Sequence, residues 1–232
     1  MSRSVASARP AIRNLNNSLY FGGSGQYATL GVKTFLDGQA WTFSTWTKLG
    51  VGGRLFSYGF NFGSNLGYLV RLATATGGNG AVYVFAGSST ITPPTQTAFL
   101  RDNWGHIAVT FDGVSAWNVY YNGALSYSVT SAIPRNADGT KSTFIGAEDA
   151  SNGGIAAMTD TLLANRVYTA AEVQTLFSSG AVPAAPSLLF RYTYSEGSGA
   201  TLTDSSGSGN NATITAATWR NDLPFTARTA VA

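Results

Sequence analysis

Ionisable side chains that could carry out catalysis are few in this chain of 232 residues. Its glutamates are Glu148, Glu172 and Glu196, and no Glu-x-Asp-x-x-Glu sequence places several carboxylates on one face of a strand. A glycosidase needs two carboxyl groups about 5–9 Å apart on either side of the scissile bond. Because these glutamates are scattered, the sequence disfavours a glycosidase.

The chain has one histidine, His106, and no cysteine. A cysteine-based zinc site is therefore excluded, and no Gly-x-Ser-x-Gly sequence offers an activated serine. His106 lies in the β-prone sequence WGHIAVTF, so we interpret it as a strand residue beside Trp104 rather than as a general base. The glycine-rich sequences at 22–25 and 77–80 lack the lysine of a phosphate-binding loop. We predict that the protein is not an enzyme.

The composition favours a β-rich globular domain. Charged residues make up 11% of the chain, whereas about 25% is usual. Hydrophobic residues make up 44% and aromatic residues 12%, which is enough to bury a core and argues against disorder. We expect one folded domain over 18–219, with an arm at 1–17 and a tail at 220–232.

Short segments of β character follow one another along most of the chain, separated by Gly, Asn, Asp or Pro. Their β-branched and aromatic residues predict antiparallel strands. Asn122-Gly123 is the strongest hairpin signal, because this dipeptide suits a tight type I′ turn. The main predicted strands are 18–23, 27–31, 41–49, 54–60, 67–74, 81–87, 106–113 and 117–125.

One segment has the pattern of a helix, TAAEVQTLFSSG at 169–180. Thr169 followed by Glu172 three residues later forms a capping box, and Gly180 is placed to end the helix. Apolar residues at helical spacing lie between these two signals. The sequence therefore predicts a single helix of about two turns, packed on the sheets.

Several of these segments together, in order and spacing, resemble the laminin-G-like or concanavalin-A-like jelly-roll family. The resemblance covers residues 18–178. It implies an all-β fold in which two antiparallel sheets form a jelly-roll sandwich with one short helix. The segments that carry it are SLYFGGSGQYATLG (18–31), WTFSTWTKL (41–49), WGHIAVTFDG (104–113), NVYYNGAL (118–125), FIGAED (144–149) and NRVYTAAEVQTLF (165–177).

The stretch TLTDSSGSGNNATI at 201–214 allows three interpretations: a flexible linker, a calcium loop or a turn of the fold. The sequences before and after it are too apolar and too β-prone for a linker. In many members of the family a similar strand and Asx-rich loop precede the SLYFGG strand, whereas here they follow the helix. We predict that residues 188–219 supply closing strands of the same sandwich. Asp204 and Asn210 would then bond the local backbone in turns.

Calcium is the one cofactor that the resemblance suggests, because relatives of this fold often hold an ion with loop carboxylates and carbonyls. Glu148, Asp149 and Asn152 lie in one predicted loop, and Asp160 lies in a segment like the family's Asp-containing strand. Such hard oxygen ligands suit calcium. Thr161 stands where a second acidic residue is common, which reduces the available charge. The alternative is that these residues are solvated turn carboxylates.

Carbohydrate binding is a further hypothesis, because aromatic rings on loops can stack on sugars. The five tryptophans all fall in strand-like segments, where packing in the core is the better interpretation. Polar contacts could come from Asn61, Asn65, Asn79 and Tyr58 in loop-like segments. Nothing in the sequence selects a particular glycan.

The N-terminal arm is basic, with Arg3, Arg9 and Arg13 ahead of the first acidic residue. It is either a solvated tail or an arm whose arginines pair with carboxylates of another subunit. The chain has no basic stripe that could follow a phosphate backbone, so nucleic acid is not an expected partner. No apolar run has the length of a signal-peptide core or of a membrane span.

These features lead to two functional hypotheses for a non-enzymatic protein. The first is a structural or adhesive protein of a virion surface, such as a capsid decoration (cement) protein or fibre module of a bacteriophage. Such a protein would be made in the host cytoplasm without a signal peptide and would bind other subunits as a homo-oligomer. The alternative is a glycan-binding, lectin-like module, and host-surface glycans are compatible with both hypotheses.

Overall fold

The computed structural model describes residues 15, 17–49, 52–74, 79–92, 99–100, 102–133, 135–183 and 187–224. Two antiparallel sheets face each other, and one helix packs on the outside of the first sheet. The predicted all-β jelly-roll sandwich with a short helix is thereby confirmed. The elements are β1 (Ser18–Gly22), β2 (Tyr27–Val32), β3 (Trp41–Leu49), β4 (Arg54–Asn61), β5 (Leu66–Thr74), β6 (Asn79–Ala86), β7 (Ser89–Ile91), β8 (Phe99–Leu100), β9 (Trp104–Phe111), β10 (Ala116–Tyr121), β11 (Ala124–Thr130), β12 (Ser142–Ile145), β13 (Ile155–Ala164), α1 (Ala170–Ser179), β14 (Leu188–Tyr192), β15 (Thr201–Leu202), β16 (Ala212–Thr215) and β17 (Thr218–Arg220).

The strand order explains how distant parts of the chain become neighbours. The first sheet has the order β11-β10-β9-β3-β13-β1-β17, and β14 also pairs with β13. The second sheet has the order β15-β16-β2-β12-β4-β5-β6-β7, and β8 also pairs with β6. The turn at Asn122-Gly123 joins β10 to β11, as the hairpin signal predicts. The last strands of the chain therefore lie beside β1 and β2.

Aromatic side chains fill the space between the two sheets. Phe43 of β3 stacks on Phe56 of β4 with ring centroids 4.9 Å apart, which joins the sheets directly. Trp41 and Trp117 are fully buried and meet edge to face at 5.7 Å, so the prediction that they belong to the core is confirmed. Burying a large apolar side chain stabilises the fold by about 1.5–3 kcal/mol, and such contacts compensate for the absence of disulfides.

The helix begins and ends where the sequence predicts. The hydroxyl of Thr169 accepts a hydrogen bond from the backbone of Glu172, whose carboxylate accepts one from the backbone of Thr169. Gly180 adopts a left-handed conformation (φ 72°) and ends the helix. One face of α1 covers the outer face of the first sheet. The buried cluster there consists of Ala108, Tyr120, Leu162, Ala164, Tyr168, Val173 and Leu176. Among the described residues, no helix is long and apolar enough to cross a membrane.

The C-terminal strands close the sandwich, and Asp204 organises the loop between two of them. Asp204 Oδ1 accepts hydrogen bonds from the backbone nitrogens of Arg191 and Ser206, both at 2.9 Å. Its Oδ2 accepts from the nitrogen of Asn210 at 2.9 Å, and Asn210 Nδ2 donates to the carbonyl of Leu189 at 2.7 Å. The predicted bonding of Asp204 and Asn210 to the local backbone is confirmed, so this stretch is a turn of the fold.

The start of the predicted tail crosses the outer face of the first sheet. Asp222 binds Lys48 Nζ at 2.8 Å and accepts a hydrogen bond from Trp104 Nε1 at 3.2 Å. Its carbonyl accepts from Ser18 Oγ at 2.8 Å. The arginines of the predicted arm, Arg3, Arg9 and Arg13, lie outside the described residues. The division into arm, domain and tail therefore stays a prediction.

We expect Thr169→Ala to lower the free energy of unfolding by about 1 kcal/mol, because the first turn of α1 loses its cap. Thr175→Ala is the matched control, since its hydroxyl lies in the same helix and donates to the carbonyl of Ala171, one turn earlier. Urea unfolding of the two variants measures the difference. Equal stability of T169A and T175A would contradict the role of the cap.

Glu172 makes the stability of the protein depend on pH. The hydrogen bonds from Arg166, at 2.7 and 3.0 Å, lower the pKa of Glu172 to about 2 from 4.5. A depressed pKa stabilises the folded state above the unfolded pKa, and this contribution is lost as pH falls from about 4.5 to about 2. The stability difference between wild type and Glu172→Gln should therefore shrink over that range in urea unfolding. A difference independent of pH would contradict this assignment.

Candidate functional site

Three loops meet at one end of the sandwich. They are the turn between β4 and β5, the turn between β6 and β7, and the loop between β11 and β12. Backbone hydrogen bonds join them: Asp138 N donates to Gly59 O, Gly67 N to Asn136 O and Gly87 N to Gly67 O, at 2.8–2.9 Å. We call the patch formed by Asn61, Phe62, Asn65, Ser88 and Asp138 the loop surface.

Two glycines allow these loops to approach each other closely. Gly67 has φ 71°, and a Cβ there would collide with the carbonyls of Tyr58 and Gly59. Gly87 has φ 57°, and a Cβ there would collide with Asn65. Larger residues are therefore excluded at both positions. The close contacts make the loop surface a rigid part of the fold.

The polar side chains of the loop surface bond one another across the loops. Asn61 Nδ2 donates to Asp138 Oδ2 at 2.6 Å, and Asn61 Oδ1 accepts from Ser64 N at 3.2 Å. Asn65 Oδ1 accepts from the nitrogen and the hydroxyl of Ser88 at 2.8 and 2.9 Å. Asn65 has φ 59°, a left-handed conformation that asparagine tolerates better than most residues. These bonds hold the amides in defined orientations.

Phe62 projects from the tip of the β4–β5 turn. Its side chain is 58% exposed, and it is the one exposed aromatic residue in the part of the chain that the structure describes. The Phe62 carbonyl accepts a hydrogen bond from Asn65 N at 3.3 Å, which closes the turn. The ring is thus held on a rigid turn in contact with solvent.

Asp138 gives the loop surface a permanent negative charge. Hydrogen bonds from the Thr140 hydroxyl, from Asn61 and from the Thr140 backbone lower the pKa of Asp138 to about 2. The carboxylate is therefore ionised at neutral pH. An ionised carboxylate is a hydrogen-bond acceptor only, with lone pairs left for further donors.

The structure brings two of the four predicted glycan-contacting residues together and separates the others. Asn61 and Asn65 flank Phe62 on the loop surface. The prediction for Tyr58 is wrong, because it is fully buried and its hydroxyl donates to Asp37 at 2.6 Å. Asn79 begins β6 and does not lie in a loop.

Sequence reasoning missed Phe62, Ser88 and Asp138. An aromatic residue inside the turn-forming sequence NFGSN (61–65) was a usable signal for Phe62. No local pattern connects Asp138 to that turn, since the two are far apart in sequence. Only the packing of the β11–β12 loop on β4 brings them together.

The predicted calcium ligands are each engaged in local contacts. Glu148 forms an ion pair with Arg54 at 2.9 Å. Asp149 Oδ1 accepts hydrogen bonds from two backbone nitrogens, including that of Asn152 at 2.8 Å. Asp160 forms an ion pair with Arg191 at 3.1 Å. Among the described residues, no three His, Asp or Glu side chains form a group that could hold a metal, and the calcium site stays a prediction.

His106 lies in β9, as predicted, and contacts a serine. Its Nε2 is 2.8 Å from Ser44 Oγ, and both residues are 1% exposed. The rings of Trp46 and Phe177 lie against the imidazole, with centroids 5.3 and 5.9 Å away. A substrate has no access to a pair covered in this way. The contact between Ser44 and His106 is therefore structural, and it lies where the first sheet packs against α1.

Comparison with known proteins places this architecture in a family. A family model described as the concanavalin A-like lectin/glucanases superfamily matches residues 21–174. The chain belongs to the concanavalin A-like lectin/glucanase superfamily. The match contains every strand from β2 to β13, the first turn of α1 and all five residues of the loop surface. A search of curated proteins found no match.

Several solved structures have similar folds, and three of them are described here by their similarity to this chain. A candidate carbohydrate-binding protein from Bacteroides ovatus has a TM-score of 0.67 and 17% identity, covering 91% of this chain and 62% of its own. A heptameric SAP-like pentraxin from Limulus polyphemus has a TM-score of 0.55 and 17% identity, covering 72% and 84%. A Trypanosoma rangeli sialidase has a TM-score of 0.51 and 17% identity, covering 70% and 28%. At these identities the superfamily fold is what they share.

We expect Asn65→Ala to lower the free energy of unfolding by about 1–2 kcal/mol, because alanine does not favour the left-handed backbone at this position. Asn65→Gly removes the same side chain but adopts that backbone freely. Urea unfolding should therefore show the glycine variant to be the more stable of the two. The reverse order would contradict the assigned conformation of the turn.

Proposed function

We propose that the protein is a non-catalytic, carbohydrate-binding module and that its loop surface holds a neutral sugar. The observation that carries the proposal is the exposed side chain of Phe62, on a turn whose residues Asn61 and Asn65 bond Asp138 and Ser88. An apolar face with a few fixed polar groups around it is the general composition of a small-molecule site.

The ring of Phe62 supplies the apolar contact. A pyranose has faces made of C–H groups, and these pack well on the electron-rich face of an aromatic ring. Because Phe62 is exposed at the tip of the turn, a sugar can reach its ring without any movement of the protein. Binding then covers an apolar surface that is otherwise in water.

Polar groups next to the ring supply hydrogen bonds to sugar hydroxyls. The Asp138 carboxylate accepts them, and the Asn65 side-chain amide donates. The Ser88 hydroxyl donates its proton to Asn65 and keeps lone pairs for an incoming donor. Since these groups are already oriented by bonds within the protein, little ordering entropy is lost on binding.

The charge of Asp138 selects the class of sugar. Its pKa of about 2 keeps the carboxylate ionised in any physiological buffer. A carboxylate on the ligand would meet this charge at short range and be repelled. The proposed ligand is therefore a neutral glycan rather than an acidic one.

The proposal includes no catalysis, because the glutamates and His106 are already engaged in other contacts. Glu172 caps α1, Glu148 pairs with Arg54, and Glu196 accepts a hydrogen bond from Thr203 N at 2.7 Å. These are three separate local roles. His106 is buried with Ser44 and lies away from solvent.

The comparisons support carbohydrate binding more than a role on a virion. The superfamily's description contains lectins, and one similar structure is described as a carbohydrate-binding protein. This chain spans 62% of that structure, so the activity of the whole protein is not carried over. None of the structures named above supports the virion-surface hypothesis. That location, host-cytoplasm synthesis and subunit binding through the arm stay predictions.

Glycan-array screening followed by calorimetry with a neutral hit tests the proposal. Phe62→Ala should weaken binding by at least about tenfold, which corresponds to ~1.4 kcal/mol. Its melting temperature should stay the same, because the side chain is largely in water. Val114→Ala, at a 65% exposed position in the β9–β10 turn, is the matched control and should bind like wild type.

Two results would overturn this assignment. One is a wild-type protein that binds no neutral glycan on the array. The other is a Phe62→Ala variant that binds a neutral glycan as tightly as wild type does.

A further inference from the structure

The outer face of the second sheet, which is turned away from the first sheet, carries two facing arginines. Val70 and Leu72 of β5 belong to the core, so Arg71 between them points outward. Arg54 of β4 lies directly opposite Arg71 in the strand register and therefore shares that face. Like charges directly opposite each other destabilise a sheet. The pair therefore requires negative charge nearby.

A carboxylate compensates Arg54 but not Arg71. Glu148 binds Arg54 Nε at 2.9 Å, and the carbonyl of Gly153 accepts a hydrogen bond from Arg54 Nη1 at 3.1 Å. All eleven Asp and Glu residues of the chain lie in the part that the structure describes. None of the ion pairs that these described residues form includes Arg71. One positive charge of the pair is thus left without compensation.

Two hydrogen-bond donors on this face also lack acceptors among the described residues. Arg71 Nε is buried without a hydrogen-bond partner. The hydroxyl of Ser57 on β4 is buried in the same way, and Ser57 lies opposite Leu69, two residues from Arg71 on the same face. Buried polar groups nearly always have a partner, so these two indicate an acceptor that the chain does not supply.

We propose that Arg71 is the anion-binding residue of a second site, which holds a small organic acid by its carboxylate. The site lies on the outer face of the second sheet, over β4, β5 and β6. Its existence does not depend on sugar binding at the loop surface.

The shape of the guanidinium favours a carboxylate. Its planar fork presents parallel N–H donors that match the two oxygens of a carboxylate. Arg71 is only partly exposed, so a bound anion is partly removed from solvent and its attraction to the guanidinium is screened less by salt. The carboxylate also brings the negative charge that the arginine pair lacks.

Aromatic rings beside Arg71 accommodate the organic part of the ligand. Tyr83 of β6 lies opposite Arg71, and Phe85 lies two residues further along the same face. Both side chains are partly exposed, so they form an apolar surface next to the charge. An organic acid covers this surface on binding, whereas an inorganic anion has no apolar part to place on it.

The low position of the charge favours a small molecule over a second protein. The Nε atom of Arg71 is buried, and Leu69 beside it on β5 is 2% exposed. A small acid reaches such a group alone. A carboxylate on a protein brings its surrounding surface with it, and that surface meets the neighbouring side chains first.

NMR titration with benzoate tests the proposal, and benzamide is the matched probe because it has the same ring without the charge. Wild type should bind benzoate at least ~10-fold more tightly than benzamide. Added sodium chloride should weaken benzoate binding, as screening of an ionic contact requires. The amide signals that shift should belong to β4, β5 and β6.

Arg71→Gln should weaken benzoate binding at least ~10-fold, because the carboxylate loses its charged partner. Urea unfolding of this variant should show no loss of stability, since the substitution also removes the repulsion from Arg54. Arg220→Gln is the matched control, because it removes one positive charge from an exposed position on β17 of the first sheet. This control should bind benzoate like wild type.

The proposal is wrong if benzoate binds no more tightly than benzamide, or if Arg71→Gln binds benzoate as tightly as wild type. Equal losses in R71Q and R220Q would reduce the effect to net charge and contradict a site at Arg71. Sulfate that binds as tightly as benzoate at equal ionic strength, or a glutamate-containing tripeptide that binds more tightly, would overturn the choice of a small organic acid.

Discussion

A bulge at Asp160 in β13 is the constraint on which the first sheet depends. On one side, β13 pairs with β1 before the bulge and with β14 after it. On its other side, β13 pairs with β3 along its length. Asp160 has φ 45°, and its carboxylate, 2% exposed, binds Arg191 at 3.1 Å. Removing one partner of such a buried pair leaves a charge without compensation. The ion pair thus joins the bulge to the C-terminal end of β14.

The bulge also changes which residues of β13 face the core. Ala156 and Met158 face it before the bulge, and Leu163 faces it afterwards. Without an extra residue, the alternation of a strand would turn the second half of β13 away from the core. Thr161 is the first residue after the bulge. Its hydroxyl lies 2.9 Å from the hydroxyl of Tyr194, and this polar contact is buried.

Features that the sequence predicts correctly depend on neighbouring residues. The capping box of α1 and the Asp204 turn each combine a side chain with a backbone group close by in sequence. The Asn122-Gly123 turn needs only two adjacent residues that accept positive φ, here 49° and 80°. The loop surface depends on packing between distant loops, and its polar partners could not be found in this way. Tyr58 shows the same limit, because its burial follows from the strand face it occupies and not from the loop-like sequence around it.

The pairing of β1 with β17 has a consequence for synthesis of the protein on the ribosome. Ser18 bonds to the carbonyls of Arg220 and Asp222, more than 200 residues later in the chain. Contacts of such long range form slowly, since a large loop must close first. β1 leaves the ribosome early and has neither partner strand until β13 emerges, and it lacks the second partner until β17 emerges. A nascent chain of this protein is therefore exposed to chaperones for nearly the whole of its translation.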